Sequence, residues 1–286
     1  MRRQAAVRFE GRRVLTLESR RAPELALLVV NYGGDPMIAP ALREIPLESN
    51  LAALAFADAL IHGEYEILVL MTGIGTRLLV KLSTPAHGDA FVSALAATRI
   101  VARGPKPVAA LREIGVSAWL TAPSPNTWHE VITTLDSRAP GVCSGGTRVA
   151  VQEYGMSNPA LVSALETRGA EVTSVPIYRW ALPDDVRPLR AAVHALVRDE
   201  IDVVILTAGV QIVHLLQVAA DMHMESDTRR AFERLVVASI GPMTSEELRR
   251  QGLPIDMEPT NPKMGFLVKE VAERCGDLLA AKRHVQ

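Results

Sequence analysis

The sequence predicts an α/β protein with two lobes, each built around a parallel β-sheet. Three pairs of short strings recur in the same order at an offset of about 135 residues, which indicates an internal duplication. Within each copy, strand-like and helix-like segments alternate, as in a parallel sheet whose strands are connected by helices. The runs "EILVLM" and "DVVIL" are continuously apolar, which is typical of strands buried on both faces. Together these observations predict a flavodoxin-like arrangement in each lobe.

The duplication is visible where predicted strands end. "RRVLTLES" and "TRVAVQEY" share Arg-Val and place Glu18 and Glu153 in equivalent positions. "LVLMTGIGT" and "VVILTAGVQ" equate Thr72 with Thr207 in the same way. "RGPKPVAALREIGV" and "IGPMTSEELRRQGL" share Gly-Pro, a leucine seven residues after the glycine and a second glycine eleven residues after it. Three matches in one order are better explained by duplication than by chance.

The individual elements follow from local patterns. "RVLTLE" and "RVAVQEY" are predicted strands, and each precedes a helix that begins at a proline and ends at a glycine. "EILVLM", "RIVAR", "DVVIL" and "VVASI" are further predicted strands. Pro46 and Pro176 lie in "REIPLES" and "SVPIYRW", two short β-rich strings. Because proline cannot donate to a sheet ladder, these strings are predicted to connect the lobes rather than to form central strands.

Composition and charge exclude several classes of protein. With 286 residues, 48% hydrophobic residues and a formal net charge of -1, the chain can form two cores and has no electrostatic footprint for nucleic acid. It has no long apolar span and no signal peptide, so we expect a cytoplasmic protein that does not contact a membrane. Cys143 and Cys275 are expected to be structural thiols, and the scattered histidines predict no metal site.

Glycine-rich turns follow five of the predicted strands: "TGIGT", "RGPK", "EYGMSN", "TAGVQ" and "GPMTS". Open parallel sheets bind ligands at the carboxyl ends of their strands, where helix N-termini present free N–H groups, so we expect a broad anionic ligand. The alternative is that these glycines only make tight turns. The candidate binding residues in the turns are Thr72, Gly73, Gly75, Gly104, Tyr154, Gly155, Thr207, Ala208, Gly209, Gly241 and Thr244. The cations expected to assist are Arg20, Arg21, Arg77, Arg103 and Lys106.

Several segments, taken in order, resemble the uroporphyrinogen-III synthase family over nearly the whole chain. They include "ESRRAPELALLVVNYGG", "LMTGIGTRLLV", "VARGPKPVAALREIGV", "VQEYGMSNPALVSALETRGAEVTSVPIYRW" and "ASIGPMTSEELRRQGLPIDMEPTNPKMG". The resemblance implies two flavodoxin-like lobes joined by a two-stranded connector, with the active site in the cleft between the lobes. Mapped onto this chain, it implies lobe 1 at 1–43 and 182–286, lobe 2 at 49–173, and connectors at 44–48 and 174–181.

The resemblance also implies a reaction without a cofactor. Hydroxymethylbilane, received from hydroxymethylbilane synthase, would be closed with inversion of its last pyrrole ring and loss of water to give uroporphyrinogen III. Tyr178 matches the family position proposed to assist departure of the hydroxyl group, and packing of this connector aromatic between the lobes is an equal alternative. Thr207 and Thr244 match family hydroxyl positions, with helix N-capping as their alternative, while packing is the alternative for Tyr154. Pro107 stands where many members have Ser or Thr, so no hydroxyl contact is implied there.

Two other functional classes fit the same residues. A non-catalytic tetrapyrrole or anion sensor would keep the basic cleft without turning over a substrate. A nucleotide- or flavin-dependent enzyme is the other alternative, although "TGIGTRLLV" lacks the third glycine of the dinucleotide fingerprint and neither a P-loop nor a G-x-S-x-G motif occurs. A turnover assay separates the sensor from the enzyme, and absorbance of the purified protein detects a flavin.

Overall fold

The computed structural model describes residues 8–46, 51–153, 155 and 157–283. The strands in these residues are β1 (Arg13–Thr16), β2 (Asp35–Ile38), β3 (Arg43–Pro46), β4 (Ile67–Leu70), β5 (Arg99–Ala102), β6 (Leu120–Thr121), β7 (Arg148–Gln152), β8 (Glu171–Val175), β9 (Tyr178–Ala181), β10 (Val203–Leu206) and β11 (Val236–Ser239). The helices are α1 (Ala22–Asn31), α2 (Leu51–Ile61), α3 (Gly73–His87), α4 (Asp89–Ala97), α5 (Pro105–Arg112), α6 (Trp128–Arg138), α7 (Pro159–Glu166), α8 (Arg187–Val197), α9 (Gly209–Asp221), α10 (Glu225–Ala231), α11 (Pro242–Arg250) and α12 (Met264–Arg283).

The chain forms two compact units. Unit 1 consists of Met1–Arg43 and Ala181–Gln286, and unit 2 consists of Glu44–Trp180. Unit 1 contains a parallel sheet in the order β11-β10-β1-β2, and unit 2 contains a parallel sheet in the order β6-β5-β4-β7-β8. Strands β3 and β9 pair with each other in a separate two-stranded sheet. The predicted α/β class with parallel sheets is confirmed.

Helices cover both faces of the sheet in unit 1. Successive residues of a strand point to opposite faces, so Val203 and Ile205 of β10 join an apolar cluster with α1 and α12. Val204 and Leu206 join a second cluster with α8 and α9. All four side chains are fully buried. Burial of one such side chain stabilises the fold by roughly 1.5–3 kcal/mol, which explains the continuously apolar run in the sequence.

Unit 2 is layered in the same way. Ile67 and Val69 of β4 pack with α6 and α7, whereas Leu68 and Leu70 pack with α2, α3 and α4. Because β4 is central and parallel to both neighbours, the helix that follows it begins above the carboxyl edge of the sheet. The candidate residues Thr72, Gly73 and Gly75 lie at this edge.

The two sheets arrange equivalent strands in the same order. Strands β4, β5, β7 and β8 occupy in unit 2 the places of β10, β11, β1 and β2 in unit 1, as the repeats predict. Gly104 and Gly241 are also equivalent, since each is the N-cap of a helix with proline at its start. The predicted equivalence of Thr72 and Thr207 is wrong by one residue. Thr72 is the N-cap of α3, whereas Ala208 is the N-cap of α9 and Thr207 precedes it.

Pro176 divides one of the two predicted connector strings. Strand β8 ends at Val175 and β9 begins at Tyr178. Ser174 and Val175 pair with β7 and therefore belong to the sheet of unit 2. In the other string, β3 ends at Pro46, and residues 47–50 lie outside the described residues.

Candidate active site

In unit 2, Thr72 begins the helix at the carboxyl end of the central strand. Strand β4 ends two residues earlier, and Thr72 is the N-cap of α3. Its Oγ1 accepts a hydrogen bond from the Gly75 N–H at 3.0 Å, which satisfies one of the N–H groups that a helix leaves unpaired at its start. The Thr76 hydroxyl donates to the Thr72 carbonyl at 2.8 Å. Thr72 is therefore held within the first turn of α3.

Gln152, the last residue of β7, is fully buried beside this turn. Its Oε1 accepts a hydrogen bond from the Thr72 N–H at 3.2 Å. A Cβ placed on Gly75 would lie 2.1 Å from Gln152 Nε2, and one placed on Gly73 would lie 2.5 Å from the Lys106 carbonyl oxygen. These two glycines thus allow α3 to approach β7 and the start of α5. Close packing therefore explains why glycine occupies both positions in "TGIGT". Contact of these glycines with a ligand stays a prediction.

Tyr178 is the first residue of β9 and is only 4% exposed. Its ring packs in the cluster that α2, α3 and α4 form with the sheet of unit 2. It also meets Trp180 edge-on, with 6.4 Å between ring centroids. The Tyr178 hydroxyl oxygen lies 3.4 Å from Thr72 Oγ1. The ring therefore packs within unit 2, while the hydroxyl lies at the carboxyl end of β4, where a catalytic role stays a prediction.

Gly155 connects the turn after β7 with the same strand, β9. It forms an isolated parallel bridge with Arg179, and its φ is +86°. A Cβ at this position would lie 2.7 Å from the Trp180 ring. Glycine is therefore required by the left-handed backbone and by the close approach of the indole. Tyr154, the other candidate in this turn, lies outside the described residues.

We expect Gly155→Ala to lower the free energy of unfolding by about 2–3 kcal/mol, because strained backbone and overpacking add. Gly252→Ala is the matched control: its φ is +67°, and no atom lies within 4 Å of the position that the new methyl group would take. The free energy of unfolding of that variant should fall by only about 1 kcal/mol, because only the strained backbone contributes. Urea unfolding measures both losses. Equal losses would contradict the assigned contact with Trp180.

In unit 1, a hydrogen-bonded network joins the ends of β1 and β10. The Thr207 hydroxyl donates to the Glu18 carboxylate and accepts from Gln211 Nε2 at 2.8 Å. Gln211 Oε1 accepts from the backbone N–H groups of Thr207 at 2.8 Å and Ala208 at 3.2 Å. Gln211 is only 1% exposed. Its reach back to the N-cap N–H is one half of a capping box.

Glu18 links this network to the start of α1. Its second oxygen accepts a hydrogen bond from the backbone N–H of Arg21, the N-cap of α1, at 3.0 Å. The Thr207 hydroxyl is thus engaged as donor and as acceptor within the protein. Neither Thr207 nor Thr244 is an N-cap, so the capping alternative is wrong for both: Gly241 caps α11, and Thr244 is buried in its first turn.

Gly209 in unit 1 and Gly104 in unit 2 also mark close approaches. A Cβ on Gly209 would lie 2.7 Å from the Cβ of Glu247, so the start of α9 packs closely against the middle of α11. The Ser239 hydroxyl donates to the Gly241 carbonyl at 3.0 Å. In unit 2, a Cβ on Gly104 would lie 2.4 Å from Asn126 Oδ1. In each unit, the candidate residues therefore lie at the carboxyl edge of the sheet.

The predicted cations differ in their partners. Arg77 forms a bidentate pair with Glu113 at 2.5–3.1 Å, and this hydrogen bonding raises the pKa of Arg77 and lowers the pKa of Glu113. Arg21 pairs with Glu24. Lys106 is exposed in the first turn of α5 and forms no ion pair with any residue that the structure describes. The positions of Arg20 and Arg103, after β1 and β5, agree with strand-end turns.

A protein-family model described as "Uroporphyrinogen-III synthase HemD" matches residues 23–269. The match spans most of the chain. The chain belongs to the uroporphyrinogen-III synthase family. The resemblance found in the sequence is therefore confirmed, and the turns after β4, β5, β7, β10 and β11 all lie within the matched range.

Two solved structures of a uroporphyrinogen III synthase and one uncharacterized protein are similar to this chain. A mutant uroporphyrinogen III synthase of Thermus thermophilus is 25% identical, with a TM-score of 0.72, and the match covers 94% of this chain and 100% of that one. A wild-type structure of that synthase has a TM-score of 0.56 at 25% identity, covering 96% and 100%. The uncharacterized protein YjjA of Bacillus subtilis (strain 168) is 28% identical over 92% of this chain and 96% of its own length.

The sequence analysis did not predict the buried hydrogen-bonding roles of Gln152 and Gln211. A glutamine in an apolar run carries no general sign of burial, but Gln211 stands at the third helical position, where a capping box places Gln or Glu. No group of three or more His, Cys, Asp or Glu side chains in the described ranges could hold a metal ion. Among the same residues, no helix is long and apolar enough to cross a membrane.

Proposed function

We propose that this protein is a uroporphyrinogen-III synthase, a cytoplasmic lyase that closes hydroxymethylbilane without a cofactor in tetrapyrrole biosynthesis and receives it from hydroxymethylbilane synthase. The observation that carries the proposal is the family match over residues 23–269. The geometry supports it, because helix starts cluster at the carboxyl edge of each sheet. Helix N-termini favour anions, and the substrate carries eight carboxylates.

The proposed chemistry needs one proton donor and accurate positioning. In the first step the C–O bond of the hydroxymethyl group breaks, the electron pair leaves with oxygen, and a proton from an acid makes water. The azafulvene cation that remains is then attacked by the substituted α-carbon of the last pyrrole ring, and the old bond from that carbon to the neighbouring methylene bridge breaks. The bridge then forms a bond with the other α-carbon of the same ring, which releases a proton. Tyr178 is the acid we propose, because a phenol is a hydrogen-bond donor and its oxygen lies at the end of β4 beside Thr72. The protein's larger task is to hold the cation in the geometry that inverts the last ring.

For binding, we propose the backbone of the glycine turns and the nearby cations. Gly73, Gly75 and Gly104 would act through backbone N–H groups, as would Gly155, Ala208, Gly209 and Gly241. Lys106 and Arg103 at the start of α5, and Arg20 before α1, would attract carboxylates. Thr207 and Thr244 are weaker candidates, since Thr207 is engaged by Glu18 and Thr244 is buried.

The test is incubation with enzymatically generated hydroxymethylbilane, followed by separation of the type I and type III isomers. Spontaneous closure gives type I, so we expect the protein to yield predominantly type III. A product mixture identical to the protein-free control would contradict the proposal. The sensor alternative is favoured by one observation, the 4% exposure of Tyr178, and it predicts product binding without turnover.

A further inference from the structure

We propose that Glu18 is a catalytic residue of unit 1, whose carboxylate accepts hydrogen bonds from pyrrole N–H groups and stabilises the azafulvene cation. This inference rests on the proposed function and deepens it, because it names a group that acts on the reactive intermediate. Glu18 is the second residue after β1, and Thr207 is the first after β10. These parallel strands are neighbours, so both residues lie at the carboxyl edge of the sheet, where ligands of open parallel sheets bind.

The direction of each hydrogen bond to this carboxylate is determined by the groups around it. Gln211 Oε1 accepts from two backbone N–H groups, at 2.8 and 3.2 Å, so its amide nitrogen faces the Thr207 hydroxyl. This nitrogen donates to Thr207 Oγ1 at 2.8 Å, which leaves the Thr207 proton for Glu18 Oε2. The backbone N–H of Arg21 donates to Glu18 Oε1 at 3.0 Å. Glu18 is therefore the acceptor in both of its hydrogen bonds.

The Glu18 carboxylate keeps acceptor positions for a ligand. An ionised carboxylate accepts about four hydrogen bonds, and each oxygen of Glu18 accepts one from a neutral donor of the protein. The side chain is half-buried, so part of it faces solvent. Glu24 pairs with Arg21, whereas no Lys, Arg or His side chain in the described parts of the chain forms an ion pair with Glu18. Its negative charge is therefore held in place without a neighbouring cation.

This fixed charge suits one part of the substrate and not another. It repels the carboxylates of the bilane, but each of the four pyrrole rings presents an N–H donor. Loss of the hydroxyl group places positive charge on the ring that carried it and on the nitrogen of that ring. Hydrogen bonds between charged groups are shorter and stronger, and a carboxylate that is already oriented stabilises the cation without reorganising. The interaction is stronger in the intermediate than in the substrate, so it raises kcat.

Glu18 remains ionised throughout this reaction. The electron pair of the C–O bond leaves with oxygen, and the proton that makes water comes from the acid. Attack by the last ring moves the positive charge to that ring, and the proton released after the final carbon–carbon bond has formed removes the charge. The carboxylate forms no covalent bond and takes no proton, so it changes only the free energy of the cations.

Unit 2 has a carboxylate at the equivalent position. Val14 pairs with the first residue of β10, and Val149 pairs with the first residue of β4. Glu18 and Glu153 each stand four residues after these valines. Among the residues that the structure describes, no side chain forms a hydrogen bond or ion pair with the Glu153 carboxylate. Of this equivalent pair, Glu18 is thus the carboxylate that the protein holds in one orientation.

Kinetics of the full-length protein test this role. Glu18→Gln keeps the size of the side chain and one acceptor oxygen but removes the charge. Glu24→Gln is the matched control, because it removes the same charge from the exposed first turn of α1. Rates of type III formation over a range of hydroxymethylbilane concentrations give kcat and KM. Binding of uroporphyrinogen III gives Kd and the number of intact sites, so that kcat is expressed per site and unfolded protein does not count.

We expect Glu18→Gln to lower kcat per site by about tenfold to thirtyfold, which is less than for a fully buried charged group because water reaches this one. KM and the Kd of the product should stay the same or fall by about twofold, since one source of repulsion is removed. Glu24→Gln should leave kcat within about twofold. Slower turnover together with equal or tighter binding is the result that a purely structural role of Glu18 does not produce.

Thr207→Val tests whether the orientation of the carboxylate matters. It removes the hydroxyl that donates to Glu18, whereas Thr207→Ser retains that hydroxyl. We expect Thr207→Val to lower kcat per site by about threefold, and Thr207→Ser to lower it less. In the Glu18→Gln background Thr207→Val should have no further effect on kcat, because residues that act through each other are not additive.

Two results would overturn the inference while leaving the proposed function intact. One is an unchanged kcat per site in Glu18→Gln, and the other is an equal loss of kcat in Glu24→Gln. If Glu18→Gln does not fold, the two Thr207 variants decide, since equal rates for valine and serine would also contradict the role of Glu18. A wild-type protein that yields only the type I isomer would instead overturn the proposed function.

Discussion

Replacement of Tyr178 by phenylalanine is expected to slow formation of the type III isomer by about tenfold. Phenylalanine keeps the ring, which packs in the core of unit 2 and against Trp180, and removes only the hydroxyl beside Thr72. General acids commonly contribute about 10²–10⁴ in rate, but the hydroxyl group of the bilane leaves readily without an enzyme. The expected loss of about tenfold is therefore below that range.

Tyr65→Phe is the matched control for this variant. Tyr65 packs against the same apolar cluster, with 5.4 Å between its ring centroid and that of Phe56. The Tyr65→Phe variant therefore removes a phenol hydroxyl group from the same core. We expect its rate to equal that of wild type. Isomer analysis and product binding should be measured together. Wild-type rates for Tyr178→Phe would assign Tyr178 to packing alone and leave catalysis to backbone positioning.

The second large effect is expected in unit 1, where Gln211→Leu should destabilise the protein by about 3 kcal/mol. Leucine has a similar size but cannot accept from the N–H groups of Thr207 and Ala208 or donate to the Thr207 hydroxyl. Each buried polar group left without a partner costs about 1–3 kcal/mol. The total is below the sum of three separate losses because Thr207 and Ala208 are only half-buried, so water can reach them.

Gln217→Leu in the same helix is the control for this change. Gln217 is exposed on α9, so the substitution should alter stability by less than about 0.5 kcal/mol. Urea unfolding gives the difference between the two variants. A small loss for Gln211→Leu would mean that solvent replaces all three hydrogen bonds, and the network would then have no part in holding the start of α9.

The fold could be predicted because its signals are local. Apolar runs mark β4 and β10, and prolines mark the helix starts at Pro105 and Pro242. The spacing of identical residues was a poorer guide. Identical threonines suggested that Thr72 and Thr207 are equivalent, yet Met71 is the residue that matches Thr207, since each stands between a strand end and an N-cap. A shared residue type does not fix a position relative to a helix start.

The hydrogen-bonded side-chain networks could not be predicted from the sequence, for a different reason. Thr72 meets Tyr178 across 106 positions and Gln152 across 80, and Glu18 meets Thr207 across 189. Such pairs depend on strand order, which local patterns do not specify. The glycines illustrate the same limit: "TGIGT" predicts a turn, but only the packed structure shows that Gln152 and the Lys106 carbonyl fill the space where side chains would stand.

The strand order β11-β10-β1-β2 has a consequence for how the chain is made. On a ribosome, Glu44–Trp180 emerges as one continuous stretch and contains every strand of its own sheet. Strand β1 and helix α1 emerge earlier, but β10 is synthesised long afterwards. At about 5–20 residues per second, the apolar face of α1, including Leu25 and Val29, stays without its sheet for on the order of ten seconds. During translation, the apolar face of α1 therefore waits for its sheet longer than any apolar face of unit 2.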